Sequence, residues 1–163
     1  MKPVARFAVV VLLAGCRGGG FAPATSTAAP QGDAVPVVKV IDGDTIRVRI
    51  GNQEEKVRLI GIDTPEVASH DCFAGEATEE LKRLLGDGSV RLVKERSERD
   101  RYGRLLRDVY TAGGAFVNAE LVRSGHARVL RITPDVVHAD ELAGLEAEAR
   151  AGHRGLWAAC AGG

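Results

Sequence analysis

The sequence predicts an α+β domain in which a five-stranded OB-type β-barrel is combined with three helices. Five short runs rich in β-branched residues are bounded by turn residues, which is typical of short strands. Three other segments show the apolar spacing of amphipathic helices. We predict that residues 35–163 fold as a single domain, because a chain of this length can bury a core of its own.

The first three strands are predicted to form a meander. They cover residues 37–41, 45–50 and 56–62. Asp42-Gly43 and Gly51-Asn52 separate them, and these are residue types that favour tight turns. Because side chains alternate along a strand, every second apolar residue of the middle strand is expected to face the core. These residues are Ile46, Val48 and Ile50.

The remaining elements are predicted from helical spacing and from two further apolar runs. A helix over 75–85 places Ala77, Leu81, Leu84 and Leu85 on one side. The predicted fourth and fifth strands are 90–93 and 104–110, with a strongly charged loop between them. A second helix covers 116–124 and ends at Gly125, and a third is expected to start near Asp135.

Residues 1–15 have the pattern of a targeting segment. Lys2 and Arg6 flank the start of an apolar run over 7–14, which is shorter than the roughly 20 residues that span a bilayer. The run ends in Leu-Ala-Gly-Cys, which resembles a bacterial lipobox, so we predict cleavage before Cys16 and lipidation of its thiol. The protein would then be exported and either anchored to the membrane of the cell envelope or secreted. An ordinary signal peptide is the alternative. Residues 16–34 are predicted to be a flexible tether.

The chain contains three cysteines, an odd number for an exported protein. If Cys16 carries lipid, Cys72 and Cys160 remain as a pair that could form one disulfide in an oxidising compartment. Two free thiols are the alternative.

The charges of the chain balance, with 22 Lys and Arg against 22 Asp and Glu. A polyanionic partner would therefore have to be recognised by a local cationic cleft. The four histidines are scattered and do not show the spacing of a zinc site.

One stretch, residues 41–66, combines three carboxylates and an arginine with two short strands. Asp44, Asp63 and Glu66 lie with Arg58 around two short strands that we expect to pair. A structural sheet gains nothing from crowded like charges. The same groups can hold a hard cation between oxygens, with a base and a cationic side chain beside it.

Two motifs in this order resemble the signatures of the thermonuclease (staphylococcal or micrococcal nuclease) family. The first consists of residues 42–45 (Asp-Gly-Asp-Thr), Arg58 and residues 63–66 (Asp-Thr-Pro-Glu). The second is residues 100–104 (Asp-Arg-Tyr-Gly-Arg). The resemblance extends over roughly residues 37–157, and with the lipobox it indicates a bacterial lipoprotein member of that family. It implies the same OB-type barrel with helices.

The resemblance also implies a calcium site. Asp44, Asp63 and the main-chain carbonyl of Thr64 occupy the positions of the Ca²⁺ ligands. Oxygen donors of this kind suit Ca²⁺, whose shell is completed by water. Asp42 is expected to cap the turn, or to contact the metal ligands without binding the metal itself.

The catalytic residues implied by the resemblance are Glu66, Arg58 and Arg104. Glu66 matches the general base that activates water, and the two arginines match the groups that stabilise the charge developing on the phosphate. Tyr102 is expected to contact a phosphate or a base, or to pack. The implied activity is hydrolysis of DNA and RNA to 3′-phosphate products by a monomer without an evident protein partner.

Two alternatives remain open at this point: a catalytically inactive OB-fold module that only binds nucleic acid, and a structural lipoprotein of the cell envelope. Residues 129–133 lack the tyrosines that nucleotide-binding relatives often carry, and Arg131 could contact phosphate instead. Arg107 stands where the family usually has a small residue. If it points inward, Asp108 or Glu95 is its expected partner.

Overall fold

The computed structural model describes residues 34–86 and 88–160. Cys16, with the rest of the predicted targeting segment and most of the tether, lies outside the described residues. In chain order the elements are β1 (Ala34–Asp42), β2 (Thr45–Ile50), β3 (Gln53–Leu59), β4 (Ile62–Asp63), α1 (Ala74–Leu85), β5 (Ser89–Val93), β6 (Leu105–Thr111), α2 (Val117–Arg123), β7 (Arg128–Val129), α3 (Ala139–Ala151) and α4 (Leu156–Ala159).

Five strands close into a barrel in the order β1-β2-β3-β6-β5, which confirms the predicted five-stranded barrel with helices. All neighbours are antiparallel except β3 and β6, which run parallel, and β5 closes the barrel against β1. Ile46, Val48, Val57 and Val109 point inward and are fully buried. Ile50 is 42% exposed, so its predicted inward orientation is wrong. Ile50 is the last residue of β2 and pairs with Gln53 at the hairpin turn, beyond the part of β2 that faces the barrel interior.

The predicted third strand is divided in two. β3 ends at Leu59, and residues 62–63 form β4, which pairs with β7 outside the barrel. Gly61 lies between them with φ +76, a conformation that side-chain-bearing residues rarely adopt. The break turns the chain away from β6 and carries Asp63 to one end of the barrel.

The helices cover that end of the barrel. α1 buries Ala77, Leu81 and Leu85 as predicted. α3 begins at Ala139, so the predicted start near Asp135 is wrong. Asp135 is instead buried, and its carboxylate accepts the Arg96 and Ser97 N–H groups at 2.9 and 2.8 Å. Among the residues described, no helix is both long and apolar enough to cross a bilayer.

One buried amide joins α2 to the barrel. Asn118 is fully buried, its Oδ1 accepts the Val109 N–H at 3.1 Å, and its Nδ2 donates to the Ile60 carbonyl at 2.8 Å. These two main-chain groups lie on β6 and just after β3, where the barrel ladder has ended. Asn118 therefore satisfies polar groups that would otherwise be unpaired in the core.

Arg107 pairs with Glu98 and also donates to the Glu98 and Leu106 carbonyls. The predicted partners Asp108 and Glu95 are both wrong. The Arg107 side chain lies only 12% exposed along the charged loop before β6, and Glu98 in that loop is the carboxylate within its reach.

Candidate active site

Arg58 holds two carboxylates together. The antiparallel register of β2 and β3 places Arg58 opposite Thr45, directly beside Asp44. Its Nη2 lies 3.0 Å from Asp44 Oδ2 and 2.9 Å from Asp63 Oδ1. Its Nη1 donates to the carbonyls of Leu59 and Ile62 at 2.8 and 2.7 Å. The guanidinium thus fastens the break between β3 and β4 and draws Asp63 towards Asp44.

Asp44 is almost completely buried, at 4% exposure. Burial raises the pKa of its carboxyl to about 6, against the opposing effect of the Arg58 guanidinium. Its Oδ2 also accepts the Thr64 N–H at 3.2 Å and the Thr64 hydroxyl at 3.3 Å. The side chain of Asp44 therefore directly contacts residues 63–66, the later part of the first motif.

The turn before Asp44 explains this close approach. Asp42 Oδ1 accepts the Asp44 N–H at 3.1 Å, the capping role expected for Asp42. A Cβ on Gly43 would lie 2.8 Å from Thr64 Oγ1 and 2.9 Å from the Ala77 Cβ. Only glycine at this position lets the Thr64 segment and α1 pack against the turn.

The donors available for a cation are two carboxylates and a carbonyl. Within the described part of the chain, no group of three or more His, Cys, Asp and Glu side chains is placed to hold a metal. Asp44 and Asp63 both contact one Arg58 nitrogen, so their nearer oxygens lie no more than about 6 Å apart. Asp63 is 52% exposed, which leaves room for water ligands. Carboxylate and carbonyl oxygens are the hard donors that Ca²⁺ prefers, so the donor types of Asp44, Asp63 and Thr64 fit this ion.

Arg104 comes from the second motif and lies just before β6. Asp100 holds it at two points, because Oδ1 accepts the Arg104 N–H at 2.9 Å and Oδ2 accepts Nε at 2.7 Å. Arg104 Nη1 lies 3.4 Å from Thr45 Oγ1, and this hydroxyl donates to Asp44 Oδ1 at 2.9 Å. The sequence did not identify Asp100 or Thr45 as supporting residues, although both belong to the recognised motifs.

These contacts link the two motifs into one hydrogen-bonded series, which we call the acid–arginine chain. It runs from Arg104 through Thr45 to Asp44, and from Asp44 through Arg58 to Asp63. Four of its five members are residues for which the sequence predicted a catalytic or metal-binding role. The structure therefore brings them together at one end of the barrel.

A cleft of about 520 Å³ opens beside the acid–arginine chain. Arg58, Arg104 and Tyr102 line it, and Tyr102 is 68% exposed with its ring 5.5 Å from the Arg104 guanidinium carbon. Its far wall is aliphatic, formed by Leu130 and Ile132. The cleft is large enough for a nucleotide, and its lining combines guanidinium groups with apolar side chains.

Arg131, a predicted alternative phosphate contact, has another partner. Its Nη2 lies 2.5 Å from Asp140 Oδ1 on α3. It does not line the 520 Å³ cleft.

Glu66 makes no hydrogen bond or ion pair with the acid–arginine chain among the described residues. It is exposed and lines a second cleft of about 380 Å³ with Asp63, Thr64 and Arg128. Its N–H donates to Asp71 Oδ2 at 3.0 Å, a contact that the sequence did not suggest.

The structure joins Cys72 to Cys160 in a disulfide with an S–S distance of 2.05 Å. Of the two alternatives considered for these cysteines, the bridged pair is the one present. The disulfide borders the same cleft as Glu66.

Comparison with known proteins agrees with this site. Residues 56–159 match the family described as Staphylococcal nuclease homologue. The chain is 33% identical over 125 residues to a thermonuclease of Staphylococcus hyicus, with 74% of this chain and 73% of the relative covered. It is 38% identical over 122 residues to an uncharacterized endonuclease of Escherichia coli, with 74% of each chain covered. A thermonuclease of Staphylococcus intermedius is 33% identical over 131 residues, with 78% and 77% covered. The protein belongs to the staphylococcal nuclease family.

Proposed function

We propose that the protein is a Ca²⁺-dependent phosphodiesterase that hydrolyses DNA and RNA and leaves 3′-phosphate ends. Its similarity to proteins named thermonuclease and endonuclease supports nuclease chemistry. The observation that carries the proposal is the acid–arginine chain, which joins two guanidinium groups that line the 520 Å³ cleft to two carboxylates, of which Asp63 lines the 380 Å³ cleft. Such a site suits a reaction in which negative charge grows on phosphate oxygens.

Asp44, Asp63 and the Thr64 carbonyl would hold the cation. When bound, Ca²⁺ would polarise a water molecule and offset part of the phosphate charge. Arg58 keeps the two carboxylates in place before the cation arrives, because its Nη2 contacts both of them.

We assign Glu66 and Arg104 to the two ends of an in-line displacement. Glu66 lines the 380 Å³ cleft with Asp63, whereas Arg104 lines the 520 Å³ cleft with Arg58. In such a displacement the attacking and leaving oxygens are on opposite sides of phosphorus. We assign Glu66 to accept the proton of the attacking water as the new P–O bond forms. Arg104 would stabilise the 5′ oxygen as its bond to phosphorus breaks, and that oxygen then takes a proton from solvent.

The test is hydrolysis of single-stranded DNA and RNA by the full-length protein, with excess chelator and after return of Ca²⁺ or Zn²⁺. Activity that needs Ca²⁺, and products whose 3′ ends are removed by a phosphatase, are expected. Asp63→Asn should abolish the Ca²⁺ response. Glu54→Gln, which changes an exposed carboxylate on β3 that pairs with Arg49, is the matched control. Full activity in excess chelator, or stimulation by Zn²⁺ alone, would refute the calcium assignment. Binding without hydrolysis would favour the inactive binding module.

We further propose export and lipid attachment at Cys16, with the domain acting as a monomer. The sequence pattern of residues 1–16 supports export, and a disulfide in the folded domain is consistent with an oxidising compartment. Intact-mass measurement of the protein from membrane fractions should show a chain that begins at Cys16 and carries acyl groups. An unmodified chain in the medium would refute the anchor.

A further inference from the structure

The loop that carries Glu66 is held at its first residue by the metal-site carboxylate. We refer to residues 64–73, which connect β4 to α1, as the Glu66 loop. At its start, the Thr64 N–H and hydroxyl both donate to Asp44 Oδ2. Residues 66–72 are exposed, so burial of side chains contributes little to holding this part of the loop.

Asp71 fixes the main chain of Glu66 from the other end of the loop. Its Oδ2 accepts the Glu66 N–H at 3.0 Å, and its own N–H donates to the Glu66 carbonyl at 3.2 Å. The two bonds close a ring between these residues. The Ala74 N–H in turn donates to the Asp71 carbonyl at 3.2 Å, which ties the ring to the first residue of α1. The direction of the Glu66 side chain therefore depends on where Asp71 lies.

The Glu66 loop adopts a backbone that the chain does not favour by itself. His70 and Phe73 have φ values of +57° and +73°, in the left-handed region that residues with a side chain enter only at a cost in free energy. Such a conformation persists when surrounding structure imposes it. An exposed loop with two such residues requires an anchor.

The disulfide supplies that anchor. Cys72 follows Asp71 directly and is bonded to Cys160, which is 88 residues further along the chain at the end of α4. α4 is itself fixed, because Leu156 is 2% exposed and its N–H donates to the Gly125 carbonyl at 2.9 Å. The bridge thus connects a strained, exposed loop to a packed part of the domain, one residue away from the group that orients Glu66.

We propose that Asp71 and the Cys72–Cys160 disulfide act as positioning residues for Glu66, so that turnover depends on the oxidation state of the bridge. This inference rests on the proposed nuclease function. A dithiol reductant would break the Sγ–Sγ bond, supply two electrons and two protons to form two thiols, and itself become a cyclic disulfide. The Glu66 loop would then relax. Asp44, Arg58 and Arg104 are held by the barrel strands and the loop before β6. Arg58 holds Asp63, and Asp44 holds Thr64 by two hydrogen bonds that reduction does not break, so the metal site and the phosphate contacts would remain.

The consequence is a nuclease that is weak while its cysteines are reduced and gains full turnover when they are oxidised. Before the bridge forms, the folded chain would bind substrate but hydrolyse it slowly. Nucleic acids that share a reducing compartment with the newly made protein would be spared.

The experiment compares oxidised and dithiothreitol-reduced full-length protein, with Cys16→Ser in every sample so that only Cys72 and Cys160 respond. Steady-state kinetics on single-stranded DNA at saturating Ca²⁺ give kcat and KM, and circular dichroism verifies folding at the assay temperature. Displacement of a catalytic group by about 1 Å can cost about a hundredfold, so we expect a loss of about 10- to 100-fold in kcat on reduction. KM and Ca²⁺ affinity should stay within about twofold, because the groups that set them are held elsewhere.

Two sets of variants separate positioning from loss of stability. In a Glu66→Gln background the positioned group no longer accepts a proton, so reduction should change kcat by less than about twofold. Asp71→Ala keeps the bridge but removes the acceptor of the Glu66 N–H, and should lower kcat. Asp71→Asn keeps an acceptor oxygen and should restore much of it. Glu76→Ala, at an exposed carboxylate in the first turn of α1, is the matched control and should leave kcat unchanged.

Hydrogen–deuterium exchange of residues 64–73 gives a readout that needs neither substrate nor Ca²⁺. Faster exchange in this segment on reduction, with the barrel strands unchanged, supports the proposal. Unchanged exchange overturns it, as does an equal loss of kcat in the Glu66 and Glu66→Gln proteins. If the oxidised protein does not hydrolyse DNA, the proposed function fails, and the exchange measurement still decides whether the bridge holds the loop.

Discussion

Replacing Asp108 with asparagine should stabilise the protein above neutral pH. Asp108 lies on β6 at 2% exposure, and its Oδ1 has no hydrogen-bond partner among the described residues. The same is true of the buried Oε1 of Glu95, whose other oxygen accepts the Val137 N–H at 3.0 Å. His138 Nε2 lies 3.7 Å from Asp108 Oδ2. Two carboxyl groups therefore share a buried site with one histidine.

Burial raises the pKa of Asp108 to about 7, opposed by His138 and reinforced by the Glu95 and Asp135 carboxyls. Tyr110 also faces this group, and burial raises the pKa of its hydroxyl to about 12. Other charged groups nearby are Glu141, which contacts His138, and Arg131, which borders the same crevice. A proton on Asp108 removes its repulsion with the neighbouring carboxylates at acid pH.

The sign follows from proton binding. The folded protein keeps a proton on Asp108 up to about pH 7, whereas the unfolded chain releases it near the ordinary pKa of 3.8. Raising the pH through this window therefore favours the unfolded chain, and the stabilisation present below about pH 4 is lost by about pH 7. Full separation of these pKa values corresponds to about 4 kcal/mol. Because the asparagine amide still carries part of the cost of burying a polar group, we expect Asp108→Asn to gain about 2 kcal/mol at pH 8.

The assay is urea unfolding at pH 4.5, 6 and 8, with circular dichroism and tryptophan fluorescence as probes. The asparagine Nδ2 can donate to Glu95, so Asp108→Asn should differ from wild type by less than about 0.5 kcal/mol at pH 4.5. Asp140→Asn, on α3 with its side chain 95% exposed, is the matched control and should show no such pH dependence. An equal difference between wild type and Asp108→Asn at all three pH values, or a loss of stability at pH 8, would refute the buried-proton reasoning.

Three further predictions concern the site and its support. Glu66→Gln should lower turnover about 10²- to 10⁴-fold, because the general base is lost. Its Ca²⁺ affinity, measured by calorimetry, should be unchanged, because no metal ligand is lost. Turnover near wild type would exclude Glu66 from the chemistry. Arg104→Lys keeps the charge but loses the planar guanidinium, so kcat should fall by a larger factor than nucleotide affinity. In the Glu66→Gln/Arg104→Lys double variant, the loss of kcat should be smaller than the product of the two single losses. A defect explained wholly by affinity would make Arg104 a binding residue. Asn118→Ala should lower the free energy of unfolding by about 2–4 kcal/mol in urea, because the Val109 N–H and the Ile60 carbonyl lose their partner in the core; a change below 1 kcal/mol would contradict this.

The elements of the barrel could be predicted because their signals are local. Alternation of apolar residues, turn residues between strands and helical spacing all act within about ten residues of chain. Errors arose where a long-range contact decided the outcome. Asp135 follows a proline and resembles a helix start, but its carboxylate is used to satisfy Arg96 and Ser97 some 40 residues earlier. Gly61 divides a continuous apolar run because β7 offers β4 a separate partner.

The residue types of the candidate site could be predicted because their signals are also local. Asp44, Asp63 and Glu66 lie within short motifs, so the sequence alone could identify them as candidates for metal binding and catalysis, roles that stay predictions. What only the tertiary structure decided is how these groups are held. Asp71 orients the Glu66 main chain, and Arg58 bridges two carboxylates that are 19 residues apart in the numbering.

Partners of buried charges also depended on the tertiary structure. The pairing of Arg107 with Glu98, and the meeting of Asp108 with Glu95, depend on how a charged loop crosses the barrel. The residue type determines which kinds of group a side chain can bind, and the residue type is known from the sequence. Which of several equivalent carboxylates it meets is decided by distances of a few ångströms, and those are set only when strands, loops and helices from distant parts of the chain have packed together.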